Sequence, residues 1–309
     1  MRIKYWFAVI GKITVSSLLL WWVLLKVDLV TLSSYLDLID WKDLIVPVLV
    51  LIMLAIIQAW RWSLVVSVLR GDLSVTKAIH LTMLSLFFNQ ALPSTIGGDG
   101  VKIWQLYKSG TLLKSATIGV LSDRLLALLT LVIMSLIALP IIYMMYGDIL
   151  IFRTMLLTAL GGLLCFILFF QLYRLPDAIL SLKFVASILS IAKSFKLLLS
   201  EKGITSLLFF SSFFVHIGIA ILVFYIGQLV DSQIDLVSCL LIFPSVFLIS
   251  SIPISISGWG VREGAMIIGF SSIGVDVNSI LLVSVIFGVC MLIQGLIGGI
   301  WWLLVKNEV

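Results

Sequence analysis

The feature that most constrains this chain is a series of apolar runs, each close to the thickness of a bilayer. A helix needs roughly 20 apolar residues to cross the hydrocarbon core. Only 11% of the 309 residues are charged, against about 25% in soluble domains. The sequence therefore predicts an all-α polytopic membrane protein and excludes a soluble enzyme, a secreted disulfide-rich domain and a nucleic-acid-binding protein. Six runs are clear candidates for spans: Trp6–Leu25, Leu44–Trp60, Gly119–Tyr146, Ile149–Leu172, Thr205–Val230 and Ile280–Val305.

The first run raises the alternative of a cleaved signal sequence, because it follows the basic segment Met1–Lys4. A cleavage site needs small residues, whereas Trp21, Trp22 and Lys26 stand at the end of this run. We therefore expect an uncleaved first transmembrane helix.

Two further apolar stretches, Leu81–Leu92 and Leu236–Ile252, each run into a proline and a Gly-rich segment. These segments repeat one another at 92–102 and 252–262, at a constant offset of 160 residues. The shared pattern is Pro-x-[Ser/Thr]-Ile-x-Gly-x-Gly-Val-[Lys/Arg]. About eight hydrophobic segments result, and three predicted spans separate the two copies. If each copy is a re-entrant hairpin that enters and leaves on one side, the odd number of crossings puts the two copies on opposite sides. The prediction is then six spans plus two re-entrant hairpins related as inverted repeats, as in many transporters. Eight full spans remain an alternative.

The basic residues predict the orientation of the chain. With the N-terminus inside, 16 of the 20 Lys and Arg residues lie on the inner side. Cytoplasmic loops carry such an excess, so we expect both termini in the cytoplasm. The stretch at about 174–202 is basic and amphipathic, which predicts a helix lying at the membrane surface. No long linker divides the chain, so 1–309 is expected to form a single domain.

The Pro-Gly segments are the predicted substrate-binding site. Half-helix N-termini beside Lys102 and Arg262 have the chemistry to bind a phosphate, and ionisable groups within a membrane mark functional sites. The candidate site residues are Asn89, Pro93, Ser94, Gly97, Gly98, Asp99, Lys102, Asp123, Arg124, Pro253, Ser255, Gly258, Gly260, Arg262 and Glu263.

Spacing predicts the partners of several charged residues. Asp99 and Lys102 are three apart, which places them on one helix face as a candidate ion pair. The adjacent residues Arg262 and Glu263 are expected to point apart and to have separate partners. For Arg124, both snorkelling to the inner headgroups and facing a cavity with Asp99 stay open. Arg61, near a predicted helix end, is expected to snorkel.

Catalytic patterns are scarce. His80 and His216 are the only histidines, and they lack a partner spacing suited to metal or nucleophile chemistry. His216 is interpreted as a packed membrane histidine, with a proton relay as the alternative. The three cysteines lie inside apolar runs. We expect no enzymatic activity, no metal and no cofactor.

The motifs resemble those of a known family. They are Arg61-Trp62, Phe87-Phe88-Asn89, the segment Leu92–Lys102, Ser122-Asp123-Arg124-Leu125, and Pro253 with Gly258–Gly264. The chain resembles the lysylphosphatidylglycerol synthase transmembrane-region family, also called flippase-like. The resemblance implies an integral protein of the bacterial cytoplasmic membrane that translocates lipids. Ser257 and Trp259 depart from the Gly-Gly-x pattern more typical of the second motif. No soluble synthase domain is recognised, so aminoacylation of phosphatidylglycerol is not expected.

Two main functional hypotheses follow, beside a third, an intramembrane transferase. The first is a flippase that moves an anionic or aminoacylated phospholipid, or a lipid-linked precursor, by rocking one repeat against the other. The second is an accessory or scaffold protein for a separate glycosyltransferase or lipid-modifying enzyme, which family members often accompany. Membrane lipids are the expected partners in both, and nucleic acid in neither. The sequence does not predict an oligomeric state.

Overall fold

The computed structural model describes residue 14 and residues 40–91, 97–147, 150–174, 183–252, 255 and 257–304. These residues form helices and connecting turns, with no β-strand among them. The ten α-helices are α1 (Ile45–Val68), α2 (Val75–Ala91), α3 (Gly97–Lys108), α4 (Leu113–Tyr146), α5 (Leu150–Gln171), α6 (Lys183–Ser200), α7 (Lys202–Leu229), α8 (Leu236–Ser250), α9 (Val261–Ser271) and α10 (Val277–Leu304).

Five of these helices are long and apolar enough to cross a membrane: α1 with the 3₁₀ turn before it, α4, α5, α7 and α10. They have 22 to 34 residues, against the roughly 20 that a span needs. They correspond to five of the six predicted spans. The remaining one, Trp6–Leu25, lies outside the described residues. The chain is therefore a multi-pass membrane protein.

The other apolar stretches form two pairs of short helices, which we call the first hairpin (α2 and α3) and the second hairpin (α8 and α9). In the first, Gly98 lies against Ser85 near the break, and Leu106 shares a buried cluster with Ala78 at the far end. The helix α3 therefore runs back along α2. A helix of 12 residues spans only about 18 Å, so neither arm that follows the break reaches across a bilayer.

The second hairpin has the same course. Gly258 lies next to Ser250 at the break, and Gly269 lies against Ile242 farther along α8. The turn between them uses left-handed backbone, with φ of 50° at Ser257, 80° at Gly258 and 81° at Gly260. Such angles strain most side chains but cost glycine little. The two glycines of the motif thus allow the tight reversal.

The repeat extends well beyond the two motifs. Moved back by 160 residues, α7, α8, α9 and α10 fall on positions 42–69, 76–90, 101–111 and 117–144. Helices of the first copy occupy 41–68, 75–91, 97–108 and 113–146. Each copy is thus a unit of four helices, span–hairpin–span. The equivalent helices α1 and α7 run antiparallel, because Leu54 of α1 contacts Gly218 of α7 while Val65 clusters with Leu208.

The two copies are interleaved. The helix α2 packs on α10 of the other copy, and α8 packs on α4. Glycines allow α10 and α2 to pack closely. A Cβ atom at Gly298 would collide with the backbone oxygen of Met83, and one at Gly299 would lie 2.6 Å from the Phe87 ring. Small residues permit this approach between helices in membranes. In the second contact, Ser245 donates a buried hydrogen bond of 2.9 Å to Ser135.

The helix α6 lies within the stretch predicted to be amphipathic at about 174–202. Its residues Ala192, Phe195 and Leu198 are buried against the bundle, whereas Lys193 and Lys196 are exposed. Positions 175–182 of the predicted helix lie outside the described residues. A placement at the membrane surface stays a prediction.

Candidate functional site

A cavity of about 290 Å³ lies where the two hairpins meet the spans. This volume is just below the range for small-molecule sites, about 300–1,000 Å³. Both hairpins line it, the first through Asn89, Asp99 and Lys102 and the second through Ser257, Gly258 and Arg262. The remaining polar lining comes mainly from α1, α4, α7 and α10 and includes Gln58, Arg61, Trp62, Asp123, Arg124, His216 and Gln294.

The two hairpins touch at one side of this cavity. The hydroxyl of Ser257 donates a hydrogen bond of 2.6 Å to the backbone oxygen of Asn89. The side chain of Asn89 in turn accepts a bond of 2.9 Å from the backbone N–H of Gly98, at the start of α3. Asn89 therefore joins both arms of its own hairpin to the break of the other.

Asp99 forms an ion pair with Arg124 of α4. Of the two alternatives for Arg124, the structure shows the one in which it faces the cavity. The pair expected between Asp99 and Lys102 does not form. Instead, the Lys102 ammonium lies 4.6 Å from the centre of the Trp62 ring, a cation–π contact.

Arg61 corrects a prediction, because it does not snorkel. Its side chain is 3% exposed, and it donates two hydrogen bonds to Asp123, of 2.8 and 3.1 Å. A bidentate pair of this kind is among the strongest side-chain interactions. Proximity to a helix end suggested snorkelling, but α1 continues to Val68 and Arg61 lies within it. Sequence reasoning missed Arg61 as a site residue, although Asp123, itself a charge in an apolar run, signalled that a partner was needed.

Arg262 and Glu263 correct a second prediction, because they bind each other at 2.6 Å. Helix geometry does point adjacent side chains apart, but the long arginine side chain folds back over the turn. Glu263 is fully buried and also accepts hydrogen bonds from the Ser284 hydroxyl at 3.1 Å and from the Gly260 N–H at 2.5 Å. The Arg262 guanidinium lies between two rings, 4.9 Å from that of Trp259 and 5.5 Å from that of Phe287.

The cavity therefore holds more positive than negative charge. Three arginines pair with three carboxylates: Arg61 with Asp123, Arg124 with Asp99, and Arg262 with Glu263. Lys102 is a fourth cation, and no carboxylate of the described residues lies within ion-pair distance of it.

Several hydrogen-bonding groups of the cavity wall also lack partners. Within the described part of the chain, none is seen for five buried atoms: Arg61 Nη1, Trp62 Nε1, Thr82 Oγ1 and the two ring nitrogens of His216. Buried polar atoms are nearly always satisfied by protein, water or ligand. A positively charged cavity with unused donors is suited to bind an anion.

The remaining candidates fall into three groups. Gly97 begins α3, and Gly98 lies so close to Ser85 that a side chain there would collide with it. Ser255 is buried, and its hydroxyl has no partner among the described residues. Pro93, Ser94 and Pro253 lie outside the described residues. No cluster of three or more metal-binding side chains occurs in the described ranges.

Comparison with known proteins gives one match. The sequence profile named lysylphosphatidylglycerol synthase TM region matches residues 9–299. No curated protein and no solved structure matches this chain. The profile covers nearly the whole sequence, as the resemblance predicted. The chain belongs to the lysylphosphatidylglycerol synthase transmembrane-region family.

Proposed function

We propose that this protein is a lipid transporter that moves an anionic or aminoacylated phospholipid, or a lipid-linked precursor, across the bacterial cytoplasmic membrane. The observation that carries the proposal is the charged cavity where the two hairpins meet. A headgroup needs such a polar site because its charge is costly to move through hydrocarbon. The family adds a link to lipid modification or flipping. We propose a transport role without catalysis or a cofactor.

The two pairs of short helices support the prediction that both Pro-Gly segments form re-entrant hairpins. Irregular backbone at membrane depth is tolerated where it is buried in protein or lines a wet cavity, and Ser257 and Gly258 line this one. Three long apolar helices, α4, α5 and α7, separate the two hairpins. If each hairpin enters and leaves on one side, the antiparallel copies form inverted repeats. With the predicted first span, this gives six spans with both termini in the cytoplasm.

The interleaved packing changes the expected motion. Rocking of one repeat against the other would separate α2 from α10, although their backbones touch at Gly298. We propose instead that each hairpin moves together with the last span of the other copy. At least three contacts join these two bodies and would have to open in such a motion: Ser257 with Asn89, Asp99 with Arg124, and Glu263 with Ser284.

The test is translocation by the purified full chain in liposomes. Fluorescent phospholipids present in both leaflets would be quenched from outside, and protein-dependent loss of the protected fraction measures translocation. A Ser251→Trp variant places a bulky ring in the cavity wall. A Ser206→Trp variant places the same ring on an exposed position of α7 and serves as the control. We expect the first to abolish translocation and the second to retain it.

Absence of translocation by the folded wild-type protein would overturn the proposal. Equal rates for the two tryptophan variants would also overturn it, because the cavity would then not be the path.

A further inference from the structure

We infer that the cargo carries one net negative charge on a phosphodiester, and that Lys102 with the free edge of Arg61 binds it. The inference rests on the proposed function and narrows its cargo, which otherwise includes aminoacylated lipids and polyprenyl diphosphates. It comes from the charge balance of the cavity and from the position of Lys102 in the first hairpin beside the unused Arg61 donor of α1.

The charge balance selects the sign and the size of the ligand charge. Among the described residues, each carboxylate at the cavity is held by an arginine, so Lys102 supplies the one surplus charge of this set. An uncompensated charge in a site of low polarity is unfavourable. A single negative charge removes the imbalance, and a phosphodiester carries one such charge at neutral pH.

The donors lie on one wall of the cavity. Lys102 Nζ is above the ring of Trp62, the neighbour of Arg61 in the chain. It is also within electrostatic range of Arg61, Asp99, Asp123 and Arg124. Asp123 accepts from Nε and Nη2 of the Arg61 guanidinium, which leaves Nη1 as a donor in a fixed orientation. Trp62 Nε1 and Thr82 Oγ1 add two further donors. Charged donors of this kind suit the two unesterified oxygens of a phosphodiester.

The same balance disfavours other cargo. A lysylated phospholipid has two ammonium groups for one phosphate, so it would add a positive charge to a cavity that already has a surplus. Binding its amines would require Asp99, Asp123 or Glu263 to leave an arginine, which leaves that arginine uncompensated. A polyprenyl diphosphate carries at least two negative charges, more than the one surplus cation neutralises.

The test compares lipids of different net charge on the purified full chain. Binding of phosphatidylglycerol, phosphatidylethanolamine and lysylphosphatidylglycerol would be measured in mixed micelles, by native mass spectrometry with competition. We expect phosphatidylglycerol to bind best, by about tenfold. In a Lys102→Gln variant we expect this preference to be lost and phosphatidylethanolamine binding to change little.

Lys108 provides a matched control, because it lies on the same helix and over another ring, Trp104, at 5.5 Å, away from the cavity. Lys108→Gln should keep the preference, and Lys102→Arg should restore it. If Lys102→Gln does not fold, Thr82→Val removes one donor at nearly constant shape. That variant should weaken phosphatidylglycerol binding several-fold.

The outcomes separate this inference from the proposed function. Equal or stronger binding of lysylphosphatidylglycerol would overturn the inference, as would a folded Lys102→Gln variant with an unchanged preference. Translocation that favours the lysylated lipid would overturn the inference and leave the transport function standing. Selective binding of phosphatidylglycerol without translocation would overturn the transport function, and with it the role of this lipid as cargo, and leave the phosphodiester-binding site at Lys102 and Arg61 standing.

Discussion

The buried pair of Arg262 and Glu263 gives the sharpest prediction about stability. Glu263 is fully buried and accepts three hydrogen bonds, from Arg262, Ser284 and Gly260. A Glu263→Gln substitution keeps the shape but removes the charge, and it turns an amide N–H₂ group toward donors. Arg262, itself 3% exposed, is then left without a compensating charge.

Breaking a buried ion pair by removing one partner costs about 3–5 kcal/mol. The unfolding entropy is about 2.1 cal/mol/K per residue, so for 309 residues each kcal/mol shifts the midpoint by about 1.5 °C. The melting midpoint should therefore fall by roughly 5–8 °C. The assay is thermal unfolding of purified protein in detergent, followed by intrinsic fluorescence. Lys108→Gln is the control, since substitutions at such exposed positions change stability by only about 0.5 kcal/mol.

A double variant tests the cause. If the loss comes from the uncompensated arginine, Arg262→Gln combined with Glu263→Gln should be less damaging than the sum of the two single changes. Coupling of about 0.5–3 kcal/mol is usual for residues in contact. A Glu263→Gln midpoint within about 2 °C of wild type, or strictly additive losses, would refute the reasoning.

Three further substitutions are each expected to lower the stability of the protein. Gly98→Ala puts a Cβ atom 2.7 Å from Asn89 Oδ1 and closer still to Ser85, so it should cost about 1–3 kcal/mol, whereas Gly100→Ala, with open space around it, should not lower the midpoint. Gly298→Ala should likewise lower the midpoint, because the added methyl group would push α10 away from Met83. Its control is Gly161→Ala on α5, where the added methyl group would contact nothing. Equal midpoints for the variant and its control, in either pair, would contradict the packing. Asp235→Ala removes the N-cap of α8, where Asp235 accepts a bond of 3.0 Å from the Ser238 N–H, and should cost about 1 kcal/mol at neutral pH. Partial burial raises the pKa of Asp235, but hydrogen bonds from Ser238 and nearby backbone outweigh this effect, so the pKa is lowered overall. Its advantage over alanine should therefore be complete above about pH 4, the usual value for an unfolded aspartate, and fade as pH falls through the folded value. A difference that grows on acidification would contradict this account.

Much of the fold was predictable because it follows from local composition. A run of apolar residues long enough to cross a bilayer has few alternatives to a helix, since its backbone must satisfy its own hydrogen bonds in lipid. The five predicted spans within the described residues all form long helices. The repeat was visible in the motifs alone, but its extent to four helices was not, because the remaining helices share length and order and little sequence.

The pairing within the site was less predictable. Spacing along a helix suggested Asp99 with Lys102, yet Asp99 binds Arg124 from another helix. The same rule placed Arg262 and Glu263 apart, although they bind each other. Spacing describes Cβ directions on one helix, whereas long charged side chains reach several ångströms and choose among partners from every neighbouring element. Arg61 and Asp123, 62 positions apart, could not be joined by any local rule.

The sequence by itself determined that this chain is a multi-pass helical membrane protein, that it contains two related Pro-Gly breaks, and which family it belongs to. Only the tertiary structure decided that the copies interleave, that the breaks meet at a shared cavity, and that Lys102 is the cation left over from three ion pairs. The reason is the range of the forces. Hydrophobic partitioning acts on each segment separately and is written in its composition. The balance of charge in a cavity is a sum over side chains from many helices, and it exists only once those helices have packed.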